Sequence, residues 1–286
     1  MTPTSLPGVV VATVPLDGET EFLSFGRHGL GDPAPMTPDS LFEIQSMTKA
    51  FTATAVLQLV ERGVIGLDDP LEEVMPELRQ IEILVEDGTR RPPTRPLTMR
   101  DLLRHTSGFA YFFTSPAILA EVKLNPITGM PLPDKIEAGE YDWGFDIQPR
   151  RIFDAGEAWV YGRGLGVAAR VVERLSGDDL DSYFKAHIFG PLGLDSTGYN
   201  LPESLMERRV TLHTRIPGTG ALVPMPDLRP RPMERFYGGG SLLSTPRDYA
   251  RFLRCLLNGG ELDGVRILGE DMVALMTSDQ LPTASA

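Results

Sequence analysis

Residues 41–63 read LFEIQSMTKAFTATAVLQLVERG, and the change from an extended segment to an apolar helix within this stretch decides the fold. Its first four residues predict a short extended segment. Apolar side chains then cover most of the surface of a helix predicted over 46–62, which is typical of a helix buried on nearly all sides. Gly63 follows as a C-terminal stop. The stretch therefore predicts a short strand that leads into a buried helix, with Ser46 and Lys49 at its start.

Ser46 and Lys49 have the spacing of a nucleophile and its base. Three residues apart on a helix, the two side chains share one face, with Cβ atoms about 5–6 Å apart. A serine hydroxyl attacks poorly until a neighbouring base accepts its proton. Lysine becomes such a base when burial or a nearby positive charge lowers its pKa. The chain has four lysines against 23 arginines, and arginine keeps its proton in proteins, so a lysine here indicates a chemical role.

The same Ser-x-x-Lys spacing occurs a second time, at Ser182 and Lys185. This copy falls within a predicted amphipathic helix, so we expect an exposed pair without a chemical role. The first copy differs because an extended segment precedes it and a helix apolar on nearly all sides follows it. No Gly-x-Ser-x-Gly motif occurs, so the sequence lacks the nucleophile turn of α/β-hydrolases.

Charge and composition exclude several classes of function. The formal net charge of −12 argues against nucleic acid as a partner, because phosphate binding needs a basic patch and none is visible in the sequence. The single cysteine, Cys255, excludes an internal disulfide and a cysteine-based metal site, and it lies on the apolar stripe of a predicted helix. The four histidines form no His-x-x-x-His pair, so we expect no zinc site. No apolar run is as long as a membrane span and Met1–Pro7 lacks a secretory pattern, so we expect a cytoplasmic protein.

The rest of the chain alternates predicted strands, helices and loops. Strands over 8–14 and 21–25 flank an Asp-Gly turn and predict a hairpin. Thr98 caps a short helix that ends at His105, where a cationic imidazole suits the helix dipole. Thr245 is the cap of another helix, with Pro246 and Asp248 in its first turn. Further helices are predicted at about 164–175, 179–187 and 270–278.

Two stretches predict irregular structure. Residues 109–152 have weak periodicity and many aromatic side chains, as lids and binding loops often do; the aromatics are Tyr111, Phe112, Phe113, Trp143 and Phe145. Residues 199–236 contain many prolines and are predicted to form loops. The run 238–240, Gly-Gly-Gly, lacks the Gly-Lys-Ser/Thr ending of a phosphate loop and predicts a tight turn near the site.

Four stretches, taken in this order, resemble one known family. They are residues 35–70, with PMTPDSLFEIQSMTKAF followed by LQLVERG and LDDP, then TMRDLLRHTSG at 98–108, GPLGLDST at 190–197 and GGGSLLSTPRDYARF at 238–252. The combination is similar to the beta-lactamase family, which includes class C β-lactamases and family VIII carboxylesterases. The resemblance implies an α+β fold, an antiparallel sheet lobe flanked by helices with an inserted helical lobe. Residues 1–286 would form a single domain, with the sheet-and-helix lobe at about 1–65 and 237–286 and the helical lobe at about 66–236.

The resemblance also implies a mechanism. Ser46 would be the nucleophile of a two-step acyl transfer and Lys49 its base. The family's tyrosine motif matches AGEAWVYGRGLG at 155–166, where Tyr161 would bind the nucleophile and share the proton transfer. No cofactor and no metal are implied. The expected activity is that of a serine hydrolase with an acyl-enzyme intermediate.

Two departures from the family pattern bear on function. β-Lactamases usually have asparagine two positions after the motif tyrosine, and here that position is Arg163. This favours a carboxylesterase for short-chain esters over a β-lactamase or a DD-peptidase. The chain also ends before the usual C-terminal strands, which contain a third motif and one of two oxyanion N–H groups. A fragment, a natural truncation and completion by another chain all stay open.

The expected partner is a small-molecule ester or amide substrate, with no nucleic acid and no membrane. A homo-oligomer stays open, as does completion of the C-terminal part by another chain. The alternative of a different class is a truncated, catalytically inactive relative that serves as a binding or structural protein.

Overall fold

A computed structural model describes residues 6–85, 88–120, 150–216, 218–225 and 232–281. Its contacts divide the chain into two compact units. The first unit is formed by 1–45, 184–236 and 241–273, and the second by 46–183, 237–240 and 274–286. The lobe bounds drawn from the resemblance stay a prediction.

Helices supply most of the regular structure. They are α1 (Thr48–Glu61), α2 (Met99–Leu103), α3 (Pro116–Ala120), α4 (Gly164–Ser176), α5 (Leu180–Phe184), α6 (Gly190–Leu192), α7 (Glu203–Met206), α8 (Pro246–Leu257) and α9 (Glu270–Thr277). Within the described ranges, 3-10 turns cover Gln45–Met47, Leu71–Glu73 and Pro76–Gln80, and a π-helical turn covers Lys185–Phe189.

The strands are short and pair in antiparallel twos within the described ranges. They are β1 (Gly8–Thr13), β2 (Glu21–Gly26), β3 (Phe42–Glu43), β4 (Ile83–Leu84), β5 (Arg90–Arg91), β6 (His213–Arg215), β7 (Leu222–Pro224), β8 (Leu243–Ser244), β9 (Glu261–Leu262) and β10 (Val265–Arg266). The pairs are β1–β2, β3–β8, β4–β5, β6–β7 and β9–β10. The mixture of helices and antiparallel ladders agrees with the predicted α+β class.

In the first unit, the predicted hairpin is present and packs on α8. Val9 pairs with Phe25 and Val11 with Leu23, and these four side chains form an exposed apolar face. The opposite face lies towards α8, which packs against β1. The helix begins as predicted, because the Thr245 side chain accepts a hydrogen bond from the Asp248 N–H.

In the second unit, α1 and α2 both pack against α4. Helix α1 is buried along most of its length, as its sequence predicts. Helix α4 is followed by Gly177, whose φ of 79° is the left-handed conformation that glycine adopts without steric cost. The core of this unit is apolar; its buried side chains include Phe51, Val56, Leu71, Met99, Leu102, Phe109, Val171 and Val172.

The loop predictions need correction. The stretch 199–236, predicted to be loops, contains α7 and the β6–β7 pair; strands of three residues are too short for alternation to reveal them. The helix predicted at about 179–187 is present as α5 and the π-helical turn that continues it. In the aromatic stretch 109–152, α3 is present, while Trp143 and Phe145 lie outside the described residues. Among the described helices, none has both the length and the apolar content needed to cross a bilayer.

Asp101 is a buried charge that organises the chain around α2. Its side chain is 1% exposed and accepts hydrogen bonds from Arg95, Thr98, Arg104 and Thr106 at 2.8–3.3 Å. Burial acts to raise the pKa of Asp101, but the hydrogen bonds from Arg95 and Thr98 outweigh it and hold the pKa below its usual value. The carboxylate therefore joins the start of α2 to the turn after it.

We expect Asp101→Asn to lower the free energy of unfolding by about 3 kcal/mol, because two guanidinium groups lose a buried carboxylate. The matched control is Asp68→Asn. Asp68 also binds one arginine through both oxygens, at 2.7 and 2.8 Å from Arg100, but its side chain is 69% exposed. Asp68→Asn should therefore lower the free energy of unfolding by less than about 1 kcal/mol. Urea unfolding measures both, and equal losses would contradict a special role for the buried carboxylate.

Candidate active site

The start of α1 holds the two residues that the sequence pairs. Ser46 lies in the 3-10 turn that precedes α1, and Lys49 lies in the first turn of the helix. The preceding residue, Gln45, has a φ of 47°. This left-handed conformation costs a non-glycine residue about 1 kcal/mol and is concentrated at functional sites.

Three predicted side chains meet at the Ser46 hydroxyl. Lys49 Nζ donates a hydrogen bond to Ser46 Oγ at 3.0 Å. Tyr161, which is 115 residues away along the chain, donates from its hydroxyl to the same oxygen at 2.7 Å. Lys49 Nζ also lies 5.0 Å from the centre of the Tyr161 ring. Ser46 itself is exposed, so a ligand can reach its oxygen.

The ammonium group of Lys49 is partly withdrawn from water. Burial lowers the pKa of Lys49 from its usual value, and the hydrogen bond with Tyr161 offsets only part of that effect. Lys49 Nζ donates a further hydrogen bond to the Gly239 carbonyl oxygen at 2.7 Å. A lower pKa increases the fraction of Lys49 that is neutral and able to accept a proton at a given pH.

The glycine run 238–240 forms a turn packed tightly against α1 and α4. The Gly238 carbonyl accepts a hydrogen bond from Thr52 Oγ1 at 2.7 Å, one residue before the carbonyl that binds Lys49. A Cβ atom at Gly238 would lie 2.3 Å from the Cβ of Ala169. Only glycine permits this approach, so the run serves to bring two carbonyl groups to α1.

The tyrosine motif is held by neighbouring backbone. The Tyr161 carbonyl accepts a hydrogen bond from Thr114 Oγ1 at 3.0 Å, and the Arg163 N–H donates to the Phe109 carbonyl at 3.2 Å. A Cβ atom at Gly162 would lie 1.6 Å from that Phe109 oxygen. Glycine is therefore required directly after Tyr161, and the two chain segments run in close contact.

Two tyrosines that the sequence did not pair line the site beside Lys49. The hydroxyl groups of Tyr111 and Tyr237 are 3.0 Å apart, although 126 residues separate them along the chain. The Tyr111 ring lies 5.7 Å from Lys49 Nζ and stacks on Phe113 at 4.9 Å. Burial, and secondarily Tyr237, raises the pKa of Tyr111, so its hydroxyl stays protonated. The aromatic composition of residues 109–152 identified Tyr111 as a candidate, whereas no sequence pattern identified Tyr237.

The protonation state of His105 differs from the one predicted. A cationic imidazole at the end of α2 was expected, but burial and the charge of Lys49 lower the pKa of His105 to about 4. The ring is therefore neutral at pH 7. It lies 4.8 Å from the Tyr161 ring, centre to centre. The helix dipole alone would favour a cation here, but burial of the imidazole and the charge of Lys49 outweigh it.

The other chemically notable residues lie as follows. Arg163 is half-buried and is the residue before the first turn of α4. The second Ser-x-x-Lys pair, Ser182 and Lys185, is exposed as predicted. Cys255 is fully buried, in agreement with its predicted place in the core. In the part of the chain that the structure describes, no three His, Cys, Asp or Glu side chains gather as a metal site requires.

Solved structures share this fold. Simvastatin synthase (LovD) from Aspergillus terreus, in its unliganded selenomethionyl form, aligns with a TM-score of 0.80 and 27% identity. The alignment covers 97% of this chain and 69% of that protein. A class C β-lactamase from Rhodobacter sphaeroides aligns over 94% of this chain and 65% of its own, with a TM-score of 0.61 and 23% identity. The fold implied by the sequence resemblance is thus confirmed.

Sequence comparisons identify the family. The lovastatin esterase of Penicillium rubens is 35% identical over 245 residues, which cover 81% of this chain and 59% of the esterase. The monacolin J acid methylbutanoyltransferase of Aspergillus terreus is 27% identical over 266 residues, which cover 88% of this chain and 62% of the transferase. The chain thus spans about three fifths of the length of these curated relatives. A sequence model described as Beta-lactamase matches residues 1–285, and the chain therefore belongs to the Beta-lactamase family.

Proposed function

We propose that the protein is a serine hydrolase that acts on short-chain carboxylic esters through an acyl-enzyme. One observation carries the proposal: Ser46 Oγ receives hydrogen bonds from both Lys49 Nζ and the Tyr161 hydroxyl, at 3.0 and 2.7 Å. Two proton-transfer groups on one exposed oxygen are what nucleophilic catalysis by serine requires. A purely structural serine has no need of a lysine whose pKa is lowered beside it.

In the first step, Ser46 Oγ attacks the ester carbonyl carbon. The serine proton passes to neutral Lys49, with Tyr161 as the second group through which it can move. The tetrahedral intermediate then collapses, the bond to the alcohol oxygen breaks, and the alcohol leaves with that proton. The acyl group is now bound to Ser46 as an ester.

In the second step, water replaces the alcohol. It attacks the acyl carbonyl carbon while Lys49 and Tyr161 accept one of its protons. The bond between the acyl carbon and Ser46 Oγ breaks, Ser46 recovers its proton, and a carboxylic acid leaves. Every proton taken is returned, so the site regains its starting state without a metal or cofactor.

Ester substrates are supported by three further features. The relative from Penicillium rubens is named lovastatin esterase. Arg163 occupies the position where β-lactamases usually have asparagine, which weighs against β-lactam hydrolysis. The stacked rings of Tyr111 and Phe113 provide an apolar wall beside Lys49, and Phe113 is 61% exposed.

We expect Ser46→Ala to reduce p-nitrophenyl butyrate hydrolysis to the rate in buffer, because the nucleophile is absent. Lys49→Ala and Tyr161→Phe should each reduce kcat/KM about 100- to 10,000-fold through loss of proton transfer. The assay is p-nitrophenol release by the 286-residue chain, with each variant shown to be folded by circular dichroism.

The second Ser-x-x-Lys pair supplies the matched controls. Ser182→Ala and Lys185→Ala remove the same groups from exposed positions and should leave the rate unchanged. Activity that survives Ser46→Ala would overturn the assignment of the nucleophile. A folded wild type that neither hydrolyses the ester nor reacts at Ser46 with a serine-directed phosphonate would favour a catalytically inactive relative.

The pH dependence of phosphonate labelling at Ser46 tests the role of Lys49 as the base. Burial lowers the pKa of Lys49 below 10.5, so its neutral form becomes abundant at a lower pH than for an ordinary lysine. The rate constant for phosphonate labelling of Ser46 should therefore rise with pH and level off above the lowered pKa. Mass spectrometry of the labelled chain gives the rate. A midpoint at or above the usual lysine value would contradict a withdrawn, neutral base.

Acyl transfer to an alcohol is a second candidate function. The same acyl-enzyme can be attacked by an alcohol in place of water, and a relative is named methylbutanoyltransferase. For this candidate we expect benzyl alcohol, added to the p-nitrophenyl butyrate assay, to yield benzyl butyrate in a reaction that Ser46→Ala abolishes. Gas chromatography separates the two products. Butyric acid as the sole product would leave hydrolysis as the function.

A further inference from the structure

We infer that His105 is a positioning residue that holds Tyr161 on Ser46 by binding the backbone on both sides of that tyrosine. The inference deepens the proposed function and rests on it, because positioning matters only if Tyr161 takes part in the reaction. His105 lies in the stretch 98–108 that resembles the family, but the resemblance assigns it no role and the predicted catalytic set does not include it. Two hydrogen bonds, a ring contact and the protonation state of the imidazole support this role.

Two hydrogen bonds bracket Tyr161. The His105 carbonyl accepts from the Val160 N–H at 3.0 Å. The His105 ring nitrogen Nδ1 accepts from the Gly162 N–H at 3.3 Å. One residue thus binds the amide groups immediately before and after Tyr161. We call these two bonds the His105 clamp.

The imidazole also contacts the rings of the same segment. Its centre lies 4.8 Å from the centre of the Tyr161 ring, with a tilt of 48°, and 6.1 Å from that of Trp159 in an edge arrangement. The His105 clamp fixes the backbone, and the ring contact limits where the phenol can turn. Together they direct the Tyr161 hydroxyl to Ser46 Oγ, where it donates at 2.7 Å.

His105 adopts a strained conformation to reach this place. Its φ of 62° is left-handed and costs about 1 kcal/mol in a residue with a Cβ atom. The neighbouring residues are bound to the buried Asp101. The Thr106 N–H donates to the Asp101 carbonyl at 3.0 Å, and Arg104 binds the Asp101 carboxylate at 3.1 Å. These contacts hold the strain in place, as is typical of functional residues.

Nδ1 can accept a hydrogen bond only while it carries no proton. The groups that face the imidazole are the Lys49 ammonium on α1, the Tyr161 phenol and the uncharged Trp159 ring. Burial and the charge of Lys49 keep the imidazole neutral down to a pKa of about 4. Above that pH the clamp is intact, and the remaining proton lies on Nε2. Below it, an N–H at Nδ1 would oppose the Gly162 N–H and break the clamp.

Two substitutions separate the clamp from the strained backbone. His105→Asn keeps an acceptor, because Asn Oδ1 is as many bonds from Cα as His Nδ1, and asparagine tolerates a left-handed φ. His105→Gly tolerates that φ but has no acceptor. We expect His105→Gly to lower the rate of Ser46 phosphonate labelling about 10- to 100-fold, since small misplacements of catalytic groups have effects of this size. His105→Asn should recover most of the loss.

The Tyr161→Phe background makes the test specific to positioning. If His105 acts through the Tyr161 hydroxyl, adding His105→Gly to Tyr161→Phe should change labelling less than about 3-fold, because coupled residues are not additive. A merely structural role would lower the rate equally in both backgrounds. Equal losses, or a His105→Gly variant that labels at the wild-type rate, would overturn the inference.

A readout independent of activity is nitrogen NMR of the imidazole. We expect an unprotonated Nδ1 at neutral pH and a titration midpoint near the pKa of about 4. A protonated Nδ1 at neutral pH would refute the His105 clamp. A wild type that shows the expected spectrum but is inert to the phosphonate would refute the proposed function instead, so the two failures are distinguishable.

Discussion

Lys49 is held between two acceptors, Ser46 Oγ at 3.0 Å and the Gly239 carbonyl oxygen at 2.7 Å, with its ammonium partly removed from water. Each acceptor comes from a different part of the chain, and both must stay close for the lysine to remain where burial lowers its pKa. Much of the second unit can be understood as the support for this arrangement. Helix α1 carries the lysine, and α4 packs against both α1 and the turn that supplies the carbonyl.

Close contacts at two glycines provide that support. The Phe109 oxygen occupies the space that a side chain at Gly162 would need, and Ala169 occupies the space beside Gly238. At both places two segments approach more closely than any residue with a Cβ atom allows. The site therefore depends on close packing at these two glycines, and Asp101 binds the turn that leads to His105.

The sequence predicts features that depend on residues close together along the chain better than features that join distant residues. The burial of α1, the 8–25 hairpin and the cap at Thr245 depend on local patterns, and those predictions are confirmed. The pairing of Ser46 with Lys49 is also local, whereas Tyr161 came only from family resemblance, since 115 residues separate it from Ser46. Tyr237 was missed because its contact with Tyr111 spans 126 residues and leaves no periodic signal. The roles of these residues stay predictions until they are measured.

The error over His105 points to the electrostatic character of the whole site. Burial lowers the pKa of Lys49 and of His105 and raises that of Tyr111. All three shifts favour the neutral form, as expected where water is excluded. Each neutral form is also the useful one, since Lys49 can then accept a proton, His105 can accept a hydrogen bond and Tyr111 can donate one. Desolvation is thus the largest cause of the pKa shifts of Lys49, His105 and Tyr111. The sequence at the end of α2 alone does not reveal it, because the groups that bury these side chains come from other parts of the chain.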